Sequence, residues 1–214
     1  MKSINWRYAL GEIIIVIIGI SLAFSLNNWK ESSAERRQRQ QYLSALELDI
    51  VAEIDQLEQL QTTIGQRLGQ IQQMSSHIGF NRPGKDSVLM KVFEIGRAVS
   101  FQPDNITYQT LVNSGDLKLI DDFELRRAIE AHYSEHNEVL RNYERLDNIY
   151  ASFLGDYFVR SVDYGAIRQG DFSSIDTELF RNILYSLMGG YQLAFSANET
   201  CLESNRDLLE MIAD

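Results

Sequence analysis

The chain has 214 residues, a formal net charge of −10, 44% hydrophobic residues, 2 prolines and 1 cysteine. One cysteine excludes an internal disulfide framework and a cysteine-only zinc site, and the acidic balance argues against a nucleic-acid partner, which needs a concentrated basic face. So few prolines leave long helices uninterrupted and argue against a many-turned β-sandwich.

The acidity is one-sided. Residues 1–100 hold 11 basic and 10 acidic side chains, whereas residues 101–214 hold 9 and 20. The second half is therefore expected to stand off from anionic lipid rather than lie on it.

From the N-terminus, the first element is an apolar helix. Ile13 to Trp29 is 17 residues without a charge, and Tyr8 to Trp29 as a helix is about 33 Å long, the thickness of a hydrocarbon core. Trp6 and Tyr8 at one end and Trp29 at the other sit where amphipathic rings mark the two membrane interfaces. A cleaved signal peptide with Ala23-Phe24-Ser25 as its small-residue site fits less well, because Glu12 interrupts the start of the apolar run. Residues 1–29 are accordingly read as a transmembrane anchor. Flanking charges nearly cancel, with Lys2, Arg7 and the amine on one side and Lys30, Arg36, Arg37 and Arg39 on the other. The orientation favoured is N-terminus inside, with the remainder outside the cytoplasm.

Residues 30–78 are expected to continue the same helix as a juxtamembrane stalk. Leu43, Leu46, Ile50, Ile54, Leu57, Leu60, Ile64, Leu68, Ile71, Met74 and Ile78 recur with a period of 3.5, the coiled-coil value. Gly79-Phe80-Asn81-Arg82-Pro83-Gly84 reads as a turn, and residues 79–214 as a helical domain. In that domain a helix is expected from Ser87 to Ala98 and another from Asp104, its cap, to Asn113-Ser114-Gly115. A long helix capped by Asp121 or Asp122 follows, with the stripe Leu125, Ile129, His132, His136, Val139, Tyr143, Leu146, Tyr150, Phe153 and Tyr157. Gly165 to Ser174 reads as a polar loop. The last helix runs from Asp176 to Ile212, with a possible bend at Gly189-Gly190. Its apolar stretch from Ile183 to Phe195 is too short for a second span.

Two blocks carry a resemblance. Tyr8-Ala9-Leu10-Gly11-Glu12-Ile13-Ile14-Ile15-Val16-Ile17-Ile18-Gly19-Ile20, closed by Asn27-Asn28-Trp29, resembles the signature of DUF6090, a domain family of unknown function found mainly in Bacteroidota. Thr107-Tyr108, Leu111, Ser114-Gly115, Leu117, Ile120 and Glu124-Leu125 are similar to that family's second block. The resemblance implies a single-pass protein of the bacterial inner membrane with a helical domain. It carries no established activity, so it implies no catalytic residue. Relatives with a more basic N-terminal tail support the inside N-terminus, but the tail of this chain is shorter.

Three constellations are chemically suggestive. Glu12, Val16, Gly19, Ala23 and Asn27 share one stripe of the apolar helix, and Gly19-xxx-Ala23 permits close helix approach. A carboxylate there either sits at headgroup level or meets a partner helix or hydrated path. His132-Tyr133-Ser134-Glu135-His136 matches the H-x-x-E-H string of inverted zincins, but nothing reads as the sheet of those enzymes. More telling, both histidines fall on an inward stripe. If the last two long helices form a hairpin about the 165–174 loop, Glu203 lies level with His136 and Cys201 within a turn, giving a His/His/Cys/Glu set suited to zinc. The competing reading is two satisfied core histidines. Finally, Arg36-Arg37-Gln38-Arg39 is a solvated, topogenic basic run.

The expectation is an all-α protein: a transmembrane helix continuing into a coiled-coil-like helix that packs in an extended bundle. Its role is read as a non-enzymatic scaffold, adaptor or accessory subunit working through helix–helix contacts. The expected partners are the lipid bilayer and a second copy or another membrane protein. No cofactor is expected, zinc being the alternative. The other function classes are an ion- or proton-handling subunit using Glu12 and a metal-dependent hydrolase at His132 and His136.

Overall fold

A helix of 70 residues, α1 (Trp6–Ser75), dominates the computed structural model, which describes residues 6–213, with side chains from residue 10 onward. Lys2 and the terminal amine lie outside the described residues, as do the side chains of Trp6, Arg7 and Tyr8. No proline occurs between Met1 and Arg82, so nothing removes a backbone donor along α1. Among the described residues it is the one helix long and apolar enough to cross a membrane. Leu10 to Trp29 is exposed apart from half-buried Gly11, and the first buried side chain is Leu46. From Trp29 to Leu46 the helix advances about 25 Å. Beyond this exposed stretch Leu46, Ile50, Glu53, Leu57, Ile64, Ile71 and Met74 are buried in steps of three, four and seven.

The chain turns at Gly79 and Gly84, whose φ values of 77° and 78° are left-handed and suit glycine. Next come α2 (Lys85–Leu89) and a 3₁₀ turn, Met90–Phe93. The helix expected from Ser87 to Ala98 is thus replaced by two short pieces. Val88, Leu89, Val92 and Ile95 are buried in that segment, so the spacing of one helical face is kept although the helix itself is broken. Helix α3 (Ile106–Ser114) starts after Asn105 rather than at Asp104, although Asp104 Oδ1 accepts from the Ile106 amide at 3.3 Å. It stops at Gly115, φ 74°. Helix α4 (Phe123–Ile149) is capped by Asp122, whose carboxylate accepts from the amides of Glu124 and Leu125.

A π-helical turn, Tyr150–Gly155, then joins α4 to α5 (Asp156–Arg160). Its wider winding shifts the facing of later residues. Leu154 and Tyr157 are buried, while Phe153, expected on the inner stripe, is exposed. The expected polar loop contains α6 (Tyr164–Arg168) and buries Ile167, Phe172 and Ile175. Helix α7 (Glu178–Ala213) is continuous through Gly189-Gly190. There a Cβ on Gly190 would meet Leu146 Cδ1 at 3.0 Å, so the glycine serves the close approach of α4 rather than a bend.

Helices α4 and α7 run antiparallel. His132 meets Ser204, Asn198 donates to Tyr143, and Tyr150 and Tyr191 share a hydrogen bond. The bundle half of α1 packs along α7. The apolar interior divides in two. The core nearer the exposed apolar half of α1 gathers Leu46, Ile50, Leu111, Ile120, Leu125, Ile129, Tyr133 and Leu208, and the larger, farther core contains Leu57, Ile64, Val139, Tyr143, Leu187, Tyr191 and Cys201.

The basic run at residues 36–39 takes part in tertiary contacts. Gln38 donates to Asp116 at 2.9 Å and Arg39 pairs with Asp121 at 2.9 Å, while Tyr42 donates to Asp116 at 2.8 Å. The corner between α3 and α4 therefore grips the stalk near its entry to the bundle. Leu111, Ile120 and Leu125 of the second sequence block form the apolar side of that grip.

Candidate functional site

Between the two cores lies a layer of buried polar side chains. On α1 the inward positions run Ile50, Glu53, Leu57, on α4 they run Ile129, His132, His136, Val139, and on α7 they include Cys201, Asn205 and Leu208. Glu53, His132, His136, Asn205 and Cys201 are each at most 3% exposed. A buried carboxylate costs several kcal/mol unless it is paired and hydrogen-bonded, so the layer has to be answered by specific partners.

One oxygen of Glu53 collects most of them. His136 Nε2 donates to Glu53 Oε1 at 2.9 Å, Asn205 Nδ2 at 3.0 Å and the Cys201 thiol at 3.5 Å. His132 Nε2 lies 3.9 Å from the same oxygen, beyond hydrogen-bond length. The other ring nitrogen of His132, Nδ1, is 3.1 Å from Ser204 Oγ. The two histidines come from successive turns of α4, with ring centroids 4.7 Å apart. Tyr133 and Phe101 wall them in: Phe101 meets His136 edge-on at 6.2 Å, and Tyr133 is clamped by a stack on Tyr108 at 4.2 Å.

Accommodation is incomplete. His132 Nε2, His136 Nδ1 and Asn205 Oδ1 are buried with no hydrogen-bond partner among the described residues. Asp49 Oδ2 and Glu135 Oε2, on the same two helices within a turn of the layer, are likewise buried and partnerless. Native interiors leave few such atoms, and each calls for an explanation.

The electrostatics follow from this packing. Burial drives the His132 imidazolium down to about 4, the charge of His136 adds to that, and the attraction of Glu53 opposes it. Burial works to raise the Glu53 carboxyl, but the hydrogen bond and charge of His136, the Asn205 hydrogen bond and His132 together hold it below its usual value. The Cys201 thiol is pushed up by burial and then by the adjacent Glu53 carboxylate. At neutral pH the layer thus holds a carboxylate, a neutral His132 and a protonated thiol.

Three of the four side chains expected to gather here do so: His132, His136 and Cys201. Glu203 does not. It is exposed, because two residues turn a helix by about 200°, so Glu203 and Cys201 cannot face the same way. The carboxylate comes from Glu53 instead, a stalk residue that Ile54 masks when the stripe is read as aliphatic. Its signal in the sequence is the heptad itself: Leu46, Ile50, Glu53, Leu57 steps by four, three and four. The remaining sequence candidates, Glu12, Gly19, Ala23 and Asn27, are exposed on the apolar part of α1, and nothing lies within 4 Å of a Cβ built on Gly19.

A family model described as a family of unknown function, DUF6090, matches residues 12–181. The chain belongs to that family. The match spans the exposed apolar segment, Glu53, both histidines and the start of α7, and stops short of Cys201, Ser204 and Asn205. No curated protein and no solved structure matches the chain.

On the α4–α7 side, a groove of about 310 Å³ lies beside this layer. Glu135, Val139, Asn142, Ala197, Thr200 and Cys201 are among its walls. Of the polar layer, Cys201 is the side chain that reaches this groove.

Proposed function

We propose that this DUF6090 protein is a membrane-anchored helical scaffold or accessory subunit of the bacterial inner membrane, acting through helix–helix contacts. The observation that carries the proposal is the continuity of α1. One helix provides both the exposed apolar segment and the inward stripe of the bundle, with no break between them. A displacement or rotation of one end is therefore delivered to the other through a continuous rod rather than absorbed by a linker.

Among the described residues, no helix of the same chain packs against the apolar segment. Glu12, Gly19, Ala23 and Asn27 on one stripe supply the small and polar residues through which membrane helices associate. A second copy, or the helix of another membrane protein, is the partner this chemistry fits. The bundle stands outside the cytoplasm, in keeping with its acidic surface.

Size measurement and cross-linking of the detergent-extracted protein test the role. Gly19→Leu and Glu12→Ala should each shift the assembly toward the monomer, and unchanged oligomer size in both variants refutes contact through that stripe. Orientation is checked separately. Cys201 is the only cysteine and is 1% exposed, so an Asp207→Cys variant labels against a low background. An impermeant maleimide should modify it from the periplasmic side, and labelling only after the inner membrane is opened places the bundle inside.

A further inference from the structure

The polar layer carries more than the scaffold role requires, and its chemistry does not depend on that role. The donor atoms of Glu53, His132 and His136 all lie within 4.8 Å of one another. In a four-coordinate site with bonds of 2.0–2.2 Å, neighbouring ligand atoms are about 3.4 Å apart. The Glu53–His136 and Glu53–His132 separations, 2.9 and 3.9 Å, bracket that value.

Hydrogen bonding alone accounts poorly for the arrangement. His132 is 1% exposed, yet its Nε2 has no partner and faces the Glu53 carboxylate from too far away to donate well. Its Nδ1 is held by Ser204, the outer arrangement that fixes a ligating imidazole and leaves Nε2 as a lone pair. The charge count also suits a cation. Among the described residues Glu53 is the carboxylate that pairs with the imidazoles, and the partnerless oxygens of Asp49 and Glu135 add negative potential a turn away.

We propose that Glu53 Oε1, His132 Nε2 and His136 Nε2 bind one divalent transition-metal ion, zinc being the metal suited to two imidazoles and one carboxylate in a four-coordinate site. The fourth position takes a water molecule. Cys201 stays outside the coordination shell, its thiol donating to Glu53, and Asn205 does the same. On metal binding the His136 proton sits on Nδ1. Because Glu53 belongs to α1 and the imidazoles to α4, the ion staples the stalk to the hairpin, at the boundary between the two apolar cores. The groove that reaches Cys201 is the opening in the surface that lies beside the site.

The test uses the full chain in detergent, stripped with chelator and dialysed against zinc, with metal measured by elemental analysis and helicity by circular dichroism. One zinc per chain is expected, and cobalt in its place should show the visible absorption of a four-coordinate ion. Zinc should raise the thermal midpoint of the wild type and chelator should lower it again. Glu53→Gln and His136→Gln, near in shape to the originals, should weaken zinc binding by more than the roughly 100-fold upper range of outer-shell losses. Ser204→Ala should cost about 10-fold, and Glu203→Ala nothing. Failure of the wild type to retain stoichiometric zinc overturns the site. So does equal retention by Glu53→Gln with unchanged helicity, which would mark an adventitious ion. Loss of zinc in Cys201→Ser overturns the three-ligand assignment. Because wild-type binding is read directly, a variant that fails to fold does not remove the test.

Discussion

Glu12 and Glu53 are carboxylates on the same helix, one in its apolar exposed half and one in its bundle half, and they are treated oppositely. Glu12 is exposed, on a stretch of α1 that no other helix covers among the described residues. Glu53 is 3% exposed and is met by an imidazole, an amide and a thiol. The surrounding residues repeat the contrast. Ile15 is 72% exposed while Ile64 is fully buried, although both are aliphatic residues of α1. Helix formation is common to both halves; what differs is whether α7 and α4 are present to receive a face. An apolar residue without such a neighbour is left for lipid or for another chain, and a carboxylate within such a neighbourhood must be built into it.

That contrast can be broken at several levels, with chemical denaturation of the bundle in detergent as the measurement in each case. Glu53→Ala should have the largest effect, about 3–5 kcal/mol, because it strands the buried His136 imidazole, the Asn205 amide and the Cys201 thiol that answer the carboxylate. Glu12→Ala should leave the bundle transition where it was, and equal losses in the two variants would contradict the division of α1. Leu57→Ala should cost about 2–5 kcal/mol as a core truncation, whereas Ile15→Ala should not move the bundle transition.

The π-helical turn gives a comparable pair. Leu154→Ala should cost about 2–5 kcal/mol, and Phe153→Ala less than about 0.5 kcal/mol, as for surface positions. The reverse order would contradict the burial of Leu154 and the exposure of Phe153. Asp122→Ala should cost about 1 kcal/mol through loss of the cap on α4. Smallest of all, Arg39→Ala should cost under about 0.5 kcal/mol, since its partner Asp121 is 83% exposed. A larger loss would mean that the stalk grip depends on this ion pair rather than on the Leu46, Leu111 and Ile120 packing beside it.

The candidate site is partly legible in the sequence. His132 and His136 stand out because they occupy an aliphatic stripe, and a hairpin about the 165–174 loop puts Cys201 within a turn of them. Angle is the missing quantity. A hairpin axis fixes which residues are level, not which point inward, so Glu203 shares a level with His136 while only Cys201 faces it. Glu53 escapes notice for a related reason. With Ile54 beside it, an aliphatic path through the stalk exists that bypasses the carboxylate, and a lone glutamate in a charged stalk looks solvated. The π-helical turn is equally hidden, since no residue in Tyr150–Gly155 demands it.

By itself the sequence determined the helical class, the membrane-length apolar segment, the turns at Gly79, Gly84 and Gly115, and a cap at Asp121 or Asp122. These depend on local chemistry: hydropathy over one helix, glycine at positive φ, a carboxylate beside free amides. Only the tertiary structure decided that the interior splits into two cores, that the stalk carries a glutamate into the gap between them, and that both histidines meet it there. Those outcomes depend on the relative rotation and register of three helices distant in sequence, which the packing of all their side chains sets together and no single stretch encodes.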